Sequence, residues 1–254
     1  MTEPRTRRAL TTLVQLWLIM TFATLAGCAT TQVITANSKP PVQLQSVISD
    51  AARVDVMILP FAPNLASLPE SDDDDIPVSA EVRRAESRYL AFHLKDTLER
   101  TGNWGIVRVV PSAARHHPLL VSGKILASDG ERLAVLVTAT DASGRVWLTR
   151  TYEDNASKYA YQSIKEDPFQ DLYNNIANDL VLQYQARAVD DIRNIRQIAE
   201  LAFAADLAPD AFSGYLTENR DGTTSVVQVP AAGDTILQRV ARIRAQDDLL
   251  VDTL

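Results

Sequence analysis

Hydrophobic positions along this chain follow two different periods, and the switches between them outline a fold. Arg53-Val54-Asp55-Val56-Met57-Ile58-Leu59 alternates and then turns apolar, which predicts a first strand ended by Pro60. Ser79 can cap a helix running to about Arg100, with Val82, Tyr89, Leu90, Leu94 and Leu98 as its apolar face and Gly102 as its stop. Ile106-Val107-Arg108-Val109-Val110 reads as a second strand. The strand–helix–strand order favours parallel pairing through a right-handed crossover. Leu119–Leu126, Arg132–Thr140 and Arg145–Tyr152 follow, separated by Ser128-Asp129-Gly130 and Asp141-Ala142-Ser143-Gly144. Turn residues at hairpin spacing make these three an antiparallel meander. In its middle strand Leu133, Val135, Val137 and Ala139 form a wholly apolar face, while Ala134, Leu136 and Thr138 form a partly apolar one. The sheet is therefore expected to be covered fully on one side and partly on the other.

Periodicity then becomes helical. Asp167-Pro168-Phe169-Gln170 carries a capping Asp, a Pro at the first position and a Gln that completes the box. Leu172, Ile176, Leu180, Val181 and Tyr184 mark one face of that helix. A second set, Ile192, Ile195, Ile198, Leu201 and Ala205, runs on to Pro209, with a break or a bend at Val189-Asp190-Asp191. Beyond lie a short helix near Asp210–Leu216, a hairpin around Asp221-Gly222 and a helix from about Asp234. That helix is still apolar at Leu249, Leu250, Val251 and Leu254, so the chain is expected to be a piece of something longer. The fold class expected is α/β (α+β): a mixed sheet of about five strands packed by long helices, with a mostly helical C-terminal extension.

The start of the chain has a different character. Arg5, Arg7 and Arg8 precede an apolar run, Leu10–Ala23, interrupted by Thr11, Thr12, Gln15 and Thr21. It is too short and impure for a bilayer-spanning helix, which needs roughly 20 mostly apolar residues, and fits a secretory leader. The run ends in Leu25-Ala26-Gly27-Cys28, which resembles the lipobox of bacterial lipoproteins. That resemblance implies cleavage after Gly27, diacylation of the Cys28 thiol and acylation of the new amino terminus. An ordinary signal peptide or a retained anchor helix is the plainer alternative; against it, Cys28 is the only cysteine in the chain. Ala29 rather than Asp follows the cysteine, which by the family's sorting habit implies the outer membrane. Arg7-Arg8 is a twin arginine without the rest of a folded-export signal, so general secretion is expected. Thr30 to Pro41 is polar and reads as a tether. The expected divisions are residues 1–27 as leader, 28–50 as lipidated terminus and tether, 51–188 as the α/β domain, and 189–254 as the helical extension.

Charge narrows the partners. Three basic residues and one acidic residue leave with the leader, so the 25 basic and 32 acidic side chains of the full chain fall to 22 and 31, a net −9. Nucleic acid and anionic lipid both want clustered Lys and Arg, so neither is an expected partner through charge. The anchor must be lipid. With Cys28 acylated no thiol remains for an internal disulfide, and the body must be held by its core alone.

Chemical candidates are few. Asp72–Asp75 lacks the alternation and Gly of a calcium loop and reads as solvated loop. His116-His117, with His93 as a third, could ligate a metal, but adjacent residues in a strand point to opposite faces and His93 sits half-buried on the first long helix, so a polar loop before a strand is the plainer reading. Ser122-Gly123-Lys124 lacks the upstream Gly of a phosphate loop and falls mid-strand. Tyr152, Tyr159, Tyr161 and Tyr173 crowd one loop and helix start. They form a candidate surface for stacking on sugar rings or for a protein interface, with core packing as the plainer reading. No catalytic residue, metal ligand set or cofactor site is assigned.

Three strings carry a further resemblance: Val56-Met57-Ile58-Leu59-Pro60-Phe61, then Gly102-Asn103-Trp104 leading to Val107-Arg108-Val109-Val110-Pro111, then Leu119-Leu120-Val121-Ser122-Gly123-Lys124-Ile125. Over about residues 53–153 the pattern resembles the α/β domain shared by the curli-secretion lipoprotein, the amino-terminal domain of TolB and lipoprotein activators of penicillin-binding proteins. It implies a non-enzymatic scaffold, oligomer ring or regulator in the cell envelope. No long pair of amphipathic hairpins of the pore-forming kind is present. The expected function is an outer-membrane-anchored, periplasm-facing lipoprotein serving envelope assembly or transport. Its partners would be the membrane through the lipid, envelope proteins, and a second copy if it forms a homo-oligomer. The alternatives are a peptidoglycan- or polysaccharide-binding module and a hydrolase with a dispersed site.

Overall fold

A computed structural model describes residues 33–35, 39–44, 52–67, 79–156, 167–231 and 233–251. Six strands form one mixed sheet: β1 (Val33–Thr35), β2 (Val56–Ile58), β3 (Val107–Val109), β4 (Leu119–Ser128), β5 (Arg132–Asp141) and β6 (Val146–Asn155), ordered β1-β6-β5-β4-β2-β3. Strands β4, β5 and β6 are the expected antiparallel meander, and β2 lies parallel to both β3 and β4. Helix α1 (Ala80–Thr101) makes the crossover from β2 to β3. Helices α2 (Gln170–Gln185) and α3 (Val189–Leu207) follow the sheet, then a short turn α4 (Pro209–Phe212), the hairpin β7 (Leu216–Glu218) and β8 (Thr224–Val226), and α5 (Thr235–Val251). The α/β class with a helical C-terminal region is what the structure shows.

The signals at α1 work as read. Ser79 Oγ accepts the Val82 N–H at 3.2 Å, and Gly102 ends the helix in the left-handed region at φ 67°. The buried face is rotated from the expected one, however. Val82 and Tyr89 are exposed, whereas Arg83, Ser87, Leu90, Ala91, Leu94 and Leu98 turn inward. Two polar residues can do so because partners await them: Arg83 Nη2 donates to the Ser128 carbonyl at 2.9 Å, and Ser87 Oγ donates to the Phe61 carbonyl. Tyr89 keeps its ring at the surface and donates its hydroxyl to Asp167 at 2.5 Å.

Residues 33–35 and 39–44, within the segment read as a tether, make contacts with the folded body. Val33–Thr35 adds a sixth strand, pairing parallel to β6 in the register Val33 with Thr151. Further on, the Val42 N–H donates to Asn178 Oδ1 at 2.7 Å and the Leu44 N–H to Asn103 Oδ1 at 2.8 Å. An extended polar segment satisfies a sheet edge that would otherwise present unpaired backbone.

Asp167 also departs from its expected role. Its carboxylate accepts the Phe169 N–H at 2.8 Å and its carbonyl the Gln170 N–H at 3.0 Å, so it closes a turn ahead of α2 rather than capping it. Gln170 spends its amide on Thr97 and Asn174, joining α1 to α2. The break falls at 186–188, ahead of the expected Val189-Asp190-Asp191, and Asp190 and Asp191 occupy the favourable first turn of α3.

The main core gathers both sheet and helices, with Val56, Ile58, Leu94, Leu98, Val135, Val137 and Ile176 fully buried. Ile192 and Ile195 belong to it, while Leu201, Phe203 and Ala204 of the same helix build a second cluster with Phe212 and Val240. Helix α3 therefore serves both cores.

Gly123 shows why a side chain is missing where it is. A Cβ there would lie 2.4 Å from the Phe61 ring, which is itself buried. Gly123→Ala is expected to cost about 1–3 kcal/mol through overpacking. Urea unfolding midpoints should show that penalty shrink when Phe61→Leu is added; an undiminished penalty would mean the two sites do not couple.

Candidate functional site

Two of the four tyrosines expected to form a binding surface are buried in the core. Tyr152 and Tyr173 are each only 1% exposed. The Tyr152 hydroxyl donates to Asp179 at 2.8 Å, and Arg150 Nη1 bonds the same carboxylate at 2.8 Å. Burial, and then the Asp179 charge, raise that hydroxyl far above the ordinary tyrosine range. Tyr173 packs at 4.5 Å against His93, whose other side stacks on Tyr89 at 5.6 Å. Both rings thus belong to the joint between sheet, α1 and α2, and neither can stack on a sugar. Tyr159 and Tyr161 lie outside the described residues, as do Gly27, Cys28 and Asp72–Asp75.

His93 bonds Gln170 Oε1 at 2.9 Å, so it too is part of the α1–α2 contact. His116 and His117 precede β4 in a loop, as the plainer reading has it, and their rings meet at 4.8 Å. His116 Nδ1 lies 3.2 Å from Asp206 and its ring meets Phe203 edge-on; His117 Nε2 lies 3.3 Å from the Ser112 carbonyl. None of these hydrogen-bond partners is a hydroxyl. Among the described residues no group of three or more His, Cys, Asp or Glu is placed to hold a metal ion. Ser122-Gly123-Lys124 is mid-strand in β4, and the Phe61 ring occupies the space beside Gly123 where a phosphate would need to approach.

What the fold assembles instead is a groove between α3 and α5, about 550 Å³, floored by Phe203 and Val240 and walled by Asp55, Arg193, Arg196, Glu200 and Arg244. The Arg244 guanidinium lies 5.7 Å from the Phe203 ring centre. Opposite charges along an apolar floor suit recognition of a polar surface, and they position no nucleophile beside a base. The sequence does carry a signal for it: Arg193, Arg196 and Glu200 recur at three and four residues, one stripe of α3 beside its apolar stripe. Arg244 comes from a helix 44 positions beyond Glu200, and only folding brings it alongside.

A smaller cavity of about 280 Å³ sits where the β5–β6 turn meets the α2–α3 junction, lined by Asp141, Ser143, Arg145, Arg187 and Asp191 among others. Asp141 is buried and fully occupied: it accepts from the Ser143 N–H and hydroxyl and from the Trp147 indole. Arg187 stacks on the Trp147 ring at 4.0 Å.

The paired histidines set a pH dependence. Burial first, and the neighbouring His116 second, hold the His117 imidazole below its ordinary value near 6.5. The folded protein favours the neutral ring, so the unfolded chain takes up this proton first as the medium is acidified. Stability from this group is fully present above about pH 6.5 and is lost as pH falls through the lowered folded value. His117→Gln should flatten that acid limb of a pH–stability curve measured by urea unfolding, and an unchanged limb would assign it to other groups.

No family model matches the chain, and no curated protein matches it. Three solved structures are similar at a distance. A protein from Xanthomonas campestris of the DUF330 family model is 11% identical, covering 61% of this chain and 97% of its own, with a TM-score of 0.33. A hypothetical protein from Chlamydia trachomatis is 12% identical, covering 53% and 100%, with a TM-score of 0.33. A dodecameric PelC from Paraburkholderia phytofirmans is 20% identical, covering 59% and 96%, with a TM-score of 0.31. Likenesses this distant carry no argument about what this chain does.

Proposed function

We propose that this chain is a lipoprotein of the outer membrane, facing the periplasm, that works as a non-enzymatic scaffold or accessory factor in envelope assembly or transport. The observation that carries the reading is Leu25-Ala26-Gly27-Cys28, closing a short basic-then-apolar leader and holding the only cysteine of the chain. The resemblance of residues 53–153 to envelope α/β domains supports it. So does the use of polar groups within the fold: Arg83 is held by the Ser128 carbonyl, Asp141 by the Trp147 indole, and the Tyr152 hydroxyl by Asp179. The groove between α3 and α5 is the surface assigned to the protein partner. A glycan-binding role through the tyrosines now rests on Tyr159 and Tyr161 alone.

Two experiments test this. Cys28→Ser should abolish labelling by radioactive palmitate and move the protein out of the outer-membrane fraction; unchanged fractionation would end the anchor reading. Capture of the tagged full chain from crosslinked envelopes should recover defined proteins. Reversing Arg193 and Arg244 to Glu should cut that recovery about tenfold or more, as for charged contacts across an interface. Recovery of peptidoglycan or glycan alone would overturn the scaffold.

A further inference from the structure

The distance between the acylated residue and the first strand restricts how the body can sit. Only residues 29–32 separate Cys28 from Val33, which is already paired in the sheet. Five peptide steps reach at most about 17 Å, so Val33 cannot stand further than that from the bilayer surface. The register fixes a direction as well. Because β1 runs parallel to β6 with Val33 opposite Thr151, the amino-terminal end of β1 faces the Val146 end of β6, five residues back along that strand. At that end the β5–β6 turn lies against the α2–α3 junction across the cavity shared by Arg145, Ala186 and Arg187. The same end carries apolar side chains in the open: Val146 is 57% exposed, Leu182 59% and Val189 56%. Arg145 and Arg187 flank them. Aliphatic side chains with neighbouring guanidinium groups suit the boundary between headgroups and acyl chains.

We infer that the sheet end bearing Val146, together with Leu182 and Val189, rests on the lipid leaflet that holds the Cys28 acyl chains. The body is then seated on the membrane rather than hung from it. The β4–β5 turn at Glu131, about 30 Å away along the strands, points into the periplasm. This orientation rests on the lipoprotein reading proposed above.

The test uses the full acylated chain in phosphatidylcholine vesicles with brominated acyl chains. Single changes Val146→Cys, Leu182→Cys and Glu131→Cys each receive a bimane label, the native cysteine being blocked by its lipid. Labels at 146 and 182 should lose about half of their emission or more, as for groups seated roughly 5–10 Å into the headgroup boundary. The label at 131 should lose almost none. Equal quenching at all three, quenching at 131 alone, or none anywhere overturns the orientation. Mass spectrometry of the same preparations separates the two claims. Acylated Cys28 with the wrong quenching order sinks the orientation alone, and a bare Cys28 sinks both.

Discussion

Val56, Met57 and Ile58 make up the whole of β2, yet this three-residue strand is paired on both sides and buried throughout. It joins two kinds of sheet: the parallel edge reached through α1, and the antiparallel meander of β4 to β6. A strand so placed cannot hold its position by length. It is held by what surrounds it, through β3 and β4 in the plane, and by residues of α1 such as Leu94 and Leu98 in the same core. Phe61, just past the strand, completes the arrangement. Its N–H and carbonyl both bond Ser87 of α1, and its ring fills the space left by Gly123 in β4. Helix, loop and strand are thereby locked to one another at a single aromatic residue.

Buried and half-buried charged groups act as joints in this fold. Arg83 links α1 to the end of β4, and the half-buried Arg150 and Asp179, with Tyr152, link β6 to α2. A partly exposed ion pair contributes little net stability. Their effect is to define which face of each helix meets the sheet. The rotated face of α1 is the clearest case, because Arg83 and Ser87 lie on it only where Ser128 and Phe61 offer acceptors. The same reasoning accounts for the perturbed Tyr152 hydroxyl. Its hydroxyl is displaced by burial and by a structural carboxylate, and the geometry around it leaves no room for a substrate.

The helical C-terminal region is tied in at both ends of α3. Ile192 and Ile195 sit in the main core and Phe203 in the second, so α3 is a shared wall rather than a linker. The hairpin adds a further tie, because the Thr224 N–H donates to the Ser143 carbonyl at 2.8 Å. The groove between α3 and α5 is thus placed by the same helix that closes the main sheet.

Much of this was legible in the residues alone. Period-two alternation located β2 to β6, Ser79 and Gly102 bounded α1, and Asp221-Gly222 marked the hairpin, because these signals depend on local backbone chemistry that acts before any tertiary contact forms. The exchange of partners across the fold was not legible. Nothing near Val33 announces a strand, since three polar-flanked residues pair only when the β6 edge is there to receive them. Tyr152 and Tyr173 look like a cluster in the sequence, but whether a ring is core or surface depends on where α2 crosses the sheet. That His116 meets Phe203 and Asp206 of α3 follows from where α3 packs, which the loop before β4 does not announce. The groove draws Asp55, Arg193, Glu200 and Arg244 from segments far apart in the chain. Residue types and spacing determined the elements; tertiary packing decided which faces are hidden, because burial is a property of pairs of surfaces and no single segment contains both.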